Sequence, residues 1–99
     1  MPAPTQSPAV ATVPMHETPA CEEARAAVAR AASSAAWADV LAHSKNRRCW
    51  SDASVVTRAR VRALATLGRY DECVREGKGV TDPALAALIE VCRTRRGEP

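Results

Sequence analysis

Leu67-Gly68-Arg69-Tyr70-Asp71-Glu72-Cys73-Val74 reads as the end of one helix, a tight turn centred on glycine, and the start of a second helix with an aromatic residue to bury. A weaker copy lies upstream at Ala36-Trp37-Ala38-Asp39-Val40-Leu41. Tyr70 and Trp37 are 33 residues apart (70 − 37), and the four positions after each agree by type: an arbitrary residue, an acid, a small apolar residue, a larger aliphatic. A period in the low thirties is what stacked helical hairpins produce, because each hairpin buries its apolar face on the next. Such an arrangement points to a binding scaffold.

The rest of the chain agrees with helix. Alanine fills roughly one position in five of the 99 residues, and aromatics make up 3 % with no Phe, so the core is left to Ala, Val and Leu. Alanine loses no side-chain entropy in a helix, and its small size lets helices approach closely. Basic residues are nearly all Arg, which with the Ala and Pro content resembles the coding bias of a GC-rich bacterial genome. The net charge of +3 is too small to imply nucleic acid by itself. Much of it lies in Arg47-Arg48 and Arg93/Arg95/Arg96, near expected helix ends where cations complement the helix dipole. No apolar run approaches the roughly twenty residues of a membrane span, and the first residues lack the pattern of an export signal.

Residues 1–17 carry Pro2, Pro4, Pro8 and Pro14, a density that blocks helix and predicts a flexible or extended tail ahead of a helical domain over 18–99. Thr18-Pro19 then supplies a hydroxyl cap and a first-turn proline for a helix to about Ser33, with Cys21, Ala24, Val28, Ala31 and Ala32 on one face. Ser33-Ser34 reads as a break and a new cap. The second helix, 35–45, presents Trp37, Val40, Leu41 and Ser44 and ends at Asn46, a residue suited to a left-handed cap. Ser51 or Asp52 caps a third helix over 53–67, with a stripe of Val56, Ala59, Ala63 and Leu67 widened by Leu64. Arg60 falls in that apolar arc and is expected to lay its stem on the core with its head in water. A fourth helix over 70–77 is stopped by Gly77-Lys78-Gly79. Asp82-Pro83 opens a fifth, 83–95, with Leu85, Leu88, Ile89 and Cys92 facing inward.

The turn itself resembles a known family. Gly68-Arg69-Tyr70-Asp71-Glu72-Cys73 is similar to the Gly-x-Tyr-x-Glu-Ala turn of tetratricopeptide repeats, and Asp82-Pro83 to the Asp-Pro between such repeats. The likeness covers about residues 19–95, as two degenerate repeats and a terminal helix. It departs from the family at Cys73, where a small Ala is usual, at Thr57, where an aromatic is usual, and before Trp37, where no Gly stands. The resemblance implies an all-α fold of stacked antiparallel hairpins in a right-handed superhelix. Trp37 and Tyr70 would wedge between Ala-rich helices, and the first helix of each repeat would line a groove for extended peptides. On that alignment the groove residues are Arg25 in the first repeat and Val55, Arg58 and Arg62 in the second. Guanidinium groups there would suit a peptide carboxylate, which they can bond through two N–H groups at once. An ordinary solvated helix face is the competing reading of these arginines.

Cys21, Cys49, Cys73 and Cys92 have none of the short spacings of a zinc site, and the two histidines are not adjacent to any of them, so neither a metal nor a Cys–His nucleophile is expected. The antiparallel hairpins that the resemblance implies bring Cys21 toward Cys49 and Cys73 toward Cys92. Two states stay open: four reduced core thiols in a cytoplasmic protein, or two bridges in a periplasmic or extracellular one. The functional expectation is a non-catalytic module without cofactor that binds a protein or peptide; because two repeats are fewer than the three usually needed, it would be capped by the terminal helix, self-associate or belong to a longer array. The alternative is a small helical nucleic-acid binder reading through the Arg-rich third helix, whose binding would be strongly salt-dependent.

Overall fold

Three of the helices begin where local chemistry dictates. In the computed structural model, which describes residues 15–97, α1 (Pro19–Ser33) is capped by Thr18, whose hydroxyl accepts the Cys21 amide at 3.2 Å. Asp52 caps α3 (Ala53–Thr66) by accepting from Ser54, and Asp82 caps α5 (Pro83–Arg96) by accepting from Ala84, each amide at 3.0 Å. Between them lie two short helices, α2 (Trp37–His43) and α4 (Tyr70–Glu76), neither of which has a side-chain cap. Single 3₁₀ turns at Met15–Glu17 and Arg47–Cys49 complete the secondary structure. The fold is all-α, with five helices packed in contact and no strand among the described residues.

Two boundaries differ from the sequence reading. Ser34 closes α1, and its hydroxyl donates to the Arg30 carbonyl instead of opening α2. Ala35 then takes a left-handed conformation (φ 58°), and α2 starts only at Trp37. At its other end α2 stops at His43, and Asn46 is extended, its side chain accepting the Arg48 amide to start the 3₁₀ turn. The expected tail falls outside the described residues except for its last part. Met15–Glu17 forms a 3₁₀ turn, and the His16 carbonyl accepts a hydrogen bond from Arg25.

α1 packs on α2, α2 on α3, and α3 on both α4 and α5, while α4 and α5 run antiparallel against each other. The last pair is tied at three levels: Asp71 to Arg96 by an ion pair of 3.5 Å, Cys73 to Cys92 by a disulfide, and Gly77 against Ile89. The second disulfide, Cys21–Cys49, joins the first turn of α1 to the 3₁₀ turn that follows α2. Both bridges are buried, and their loops of 28 and 19 residues make each worth about 2–4 kcal/mol through the unfolded chain.

The core is built from Val28, Val40, Leu41, Val56, Val61, Leu64, Val74, Leu85 and Ile89 around the four half-cystines. On α3 the buried arc is Val56, Val61, Ala63 and Leu64; Ala59 lies at its margin and Leu67 is exposed, so the stripe is rotated from the expected one. The aromatic wedges also differ. Trp50, which follows the 3₁₀ turn after α2, is buried, whereas Trp37 and Tyr70 are only partly covered. Each sits at the first position of a short helix.

Candidate functional site

Arg60 organises the centre of the molecule. Its stem lies in the apolar arc of α3, and its head turns to protein partners, leaving the side chain 19 % exposed. Nε pairs with Glu76 Oε1 at 3.2 Å, and Nη1 donates to Ser44 Oγ at 2.8 Å and, more weakly, to the Leu41 and Ser44 carbonyls at 3.4 Å. The guanidinium thus ties the C-terminal end of α2 to that of α4. Cations are favoured at both ends, because the last carbonyls of a helix carry partial negative charge. Burial lowers the Arg60 pKa from its ordinary value, with Arg47 acting in the same direction and Glu72 opposing it. It remains charged at any physiological pH.

Glu76 receives a second arginine. Arg47, on the 3₁₀ turn held by the Cys21–Cys49 bridge, places Nη2 against Glu76 Oε2 and donates from Nη1 to Thr57 Oγ1 at 3.3 Å. That turn is itself fixed by Arg25, which donates to the Cys49 carbonyl at 2.6 Å. Through these links the first disulfide sets the position of Arg47, and the second holds α4 on α5.

Arg47 forms one wall of a cleft of about 590 Å³ that opens between the start of α3, the end of α4 and the loop leading to α5. Its apolar floor is Ala53, Val80 and Leu85, and hydroxyls line it at Ser54, Thr57 and Thr81. The volume is that of a small-ligand or peptide side-chain site. Three carboxylates border it, and each is already matched by an arginine. Glu76 holds Arg60 and Arg47; Glu72 accepts both Nε and Nη2 of Arg69 at 2.8 and 2.6 Å; Asp82 meets Arg58 at 3.4 Å. The Arg69 bond is the chief cause holding the Glu72 pKa below its usual value. Two further cations on the wall, Arg75 and Lys78, are exposed and make no ion pair among the described residues.

The groove expected across Arg25, Val55, Arg58 and Arg62 is not brought together as one surface. Arg25 is half-buried, its guanidinium committed to the carbonyls of His16 and Cys49. Val55, Arg58 and Arg62 do share an outward face of α3, with Val55 45 % exposed. Arg58 turns to Asp82, and the Arg62 guanidinium lies over the Trp37 ring, 5.6 Å from its centroid. Of the arginines on α3, Arg58 and Arg62 are exposed and Arg60 faces the core. The cleft escaped the sequence reading because its walls come from four separate segments. Its one local trace was an arginine in an apolar arc, which either snorkels or meets an anion supplied from elsewhere in the fold.

The expected disulfide pairs, Cys21–Cys49 and Cys73–Cys92, are both formed, and no cysteine is free. No cluster of metal-ligating side chains and no helix long and apolar enough to cross a membrane occurs among the described residues. No protein family matches the chain, and no curated protein or solved structure is similar to it.

Proposed function

We propose that this chain is a non-catalytic, disulfide-stapled helical module that binds a protein or peptide partner in the cleft between α3, α4 and the start of α5. The observation that carries the reading is the cleft's composition. An apolar floor of Val80 and Leu85, flanking hydroxyls and two exposed cations that make no ion pair among the described residues form a surface that selects by shape and charge. The resemblance of the Gly68–Cys73 turn to helical-repeat proteins supports an extended peptide as the kind of partner, although the site differs from the groove across Arg25 and Arg58. Two buried bridges argue for work in an oxidising compartment.

A library of displayed random dodecapeptides, selected on the oxidised protein, tests the reading. Selected sequences should bind the wild-type chain and lose binding to Ser54→Trp, which fills the cleft from an exposed position. Binding that ignores this substitution overturns the assignment of the cleft.

A further inference from the structure

We infer that the cleft is selective for an acidic peptide segment, with a side-chain carboxylate of the partner set between Arg75 and Lys78 and a neighbouring apolar residue seated on Val80 and Leu85. This rests on the binding function proposed above and names the chemistry of its ligand.

The argument is one of charge that remains after internal pairing. Three carboxylates and three cations line the cleft, so by composition it is neutral. Pairing changes that balance, because the arginines that match the carboxylates come mostly from outside the wall. Arg69 takes Glu72 through two bonds, Arg58 takes Asp82, and Arg60 takes Glu76 from the core side. Arg47 adds a second cation to Glu76. What faces the open space is therefore a surplus of positive charge, centred on Arg75 in the last turn of α4 and Lys78 just beyond it. Both lie near the C-terminal end of α4, whose carbonyl dipole keeps an ammonium or guanidinium there in the absence of an anion.

The same arrangement selects among anionic ligands. A polyphosphate backbone carries charge at every repeat, whereas the unmatched cations of the cleft stand together at Arg75 and Lys78. A single free anion would leave the apolar floor uncovered. A peptide with one or two acidic side chains among apolar ones matches both, placing charge only where Arg75 and Lys78 stand. The forked guanidinium can bond both carboxylate oxygens, while Lys78 adds a mobile point charge.

The test uses two fluorescein-labelled peptides, one containing Leu-Glu-Leu-Glu and one containing Leu-Gln-Leu-Gln, titrated into the oxidised full chain and followed by anisotropy and by backbone amide shifts. The acidic peptide should bind and move the amides of Thr57, Gly79, Val80 and Thr81. The double variant Arg75→Gln/Lys78→Gln should weaken it at least tenfold. The charge-matched control Arg30→Gln/Arg95→Gln, altered at exposed positions away from the cleft, should change it less than twofold. Equal binding of the glutamine peptide, equal weakening by the control, or no shift at those amides overturns the acidic selectivity. Cleft-directed peptides from the displayed library that lack acidic residues would overturn it while leaving the binding function intact.

Discussion

Ala35 and Gly68 occupy the same left-handed backbone position in two successive helical joints, 33 residues apart (68 − 35), with φ of 58° and 77°. The surrounding hydrogen bonds repeat as well. The amides of Ala36 and Arg69 reach back to the carbonyls of Ala31 and Leu64 at 2.8 and 2.9 Å, and those of Ala35 and Gly68 to Ala32 and Ala65, both at 3.2 Å. This double bond pattern is the Schellman closure of a helix C-terminus. The helices that follow, Trp37–His43 and Tyr70–Glu76, are offset by the same 33 residues. The likeness is confined to these two joints and the short helices that follow them, and the disulfides do not share the spacing.

An alanine in that conformation crowds its own Cβ against the backbone, which costs about 1–2 kcal/mol. Ala35→Gly is therefore expected to stabilise the protein by about 1 kcal/mol, after the greater unfolded-state freedom of glycine is subtracted. Gly68→Ala should destabilise it by a similar amount, since a Cβ there meets nothing closer than 4.0 Å and only the φ angle opposes it. Urea midpoints at unchanged slope give both values. A loss of stability in Ala35→Gly would show that the first turn is not under this strain.

Gly77 is required for a different reason. Its φ is negative, but a Cβ there would fall 2.6 Å from Ile89 Cγ1, on a buried and stiff β-branched side chain. Gly77→Ala should cost about 1–3 kcal/mol by overpacking the α4–α5 contact. Adding Ile89→Val, which removes one of the clashing atoms, should return part of the loss. Additive effects of the two substitutions in denaturant titrations would sink the steric account.

Local signals were legible wherever the physics was local. Thr18-Pro19, Asp52 and Asp82-Pro83 name their helix starts because cap and backbone are within three residues. The start of α2 was not legible, since Ala35 takes a position that glycine marks in the second copy, and Ala36 offers no capping side chain. Trp50 was hidden for another reason: Cys49 signals a bridge to Cys21, but no periodic pattern in 46–51 shows that the residue after it turns into the core. The candidate cleft was least legible of all. Arg60 and Glu76 meet across 16 residues, and whether an arginine snorkels or turns inward depends on an anion that only the tertiary fold supplies.

The bridges should act unequally on the cleft although each supports the fold. Cys21→Ser/Cys49→Ser frees the turn that carries Arg47, whereas Cys73→Ser/Cys92→Ser loosens α4 against α5. Each pair removed should lower stability by about 2–4 kcal/mol. Intact mass after alkylation should show no free thiol in protein isolated from its host without reductant, and four after reduction. Four alkylated thiols before reduction would contradict a stapled protein.

Acid should weaken the protein through two exposed carboxylates. Hydrogen bonds from Ser54, its hydroxyl at 2.7 Å before its amide at 3.0 Å, lower the Asp52 pKa, and Arg69 lowers that of Glu72. Because the folded values lie below the unfolded ones, this stabilisation is complete above about pH 4.5 and is lost as pH falls through the folded values. Asp52→Asn keeps a capping oxygen without the titration, so its stability should fall less steeply as the pH is lowered below about 4.5. A parallel acid limb for wild type and variant would exclude Asp52 as a contributor.

The Arg60–Glu76 pair makes the sharpest energetic claim. Glu76 is 9 % exposed and faces two guanidiniums, so Glu76→Gln leaves a largely buried Arg60 with neutral acceptors only. That loss should be on the order of 3 kcal/mol, the usual consequence of stranding one member of a buried pair. Arg60→Met should cost less, since Glu76 keeps Arg47, whose side chain is 45 % exposed and well solvated. Replacing both, Arg60→Met with Glu76→Leu, should recover much of the loss, because two charges then need no desolvation while Arg47 swings to water. The order of stabilities from urea unfolding decides the matter. If Arg60→Met is more damaging than Glu76→Gln, the interactions with Ser44 and the end of α2 outweigh the ion pair, and the guanidinium acts mainly as a cap for that helix.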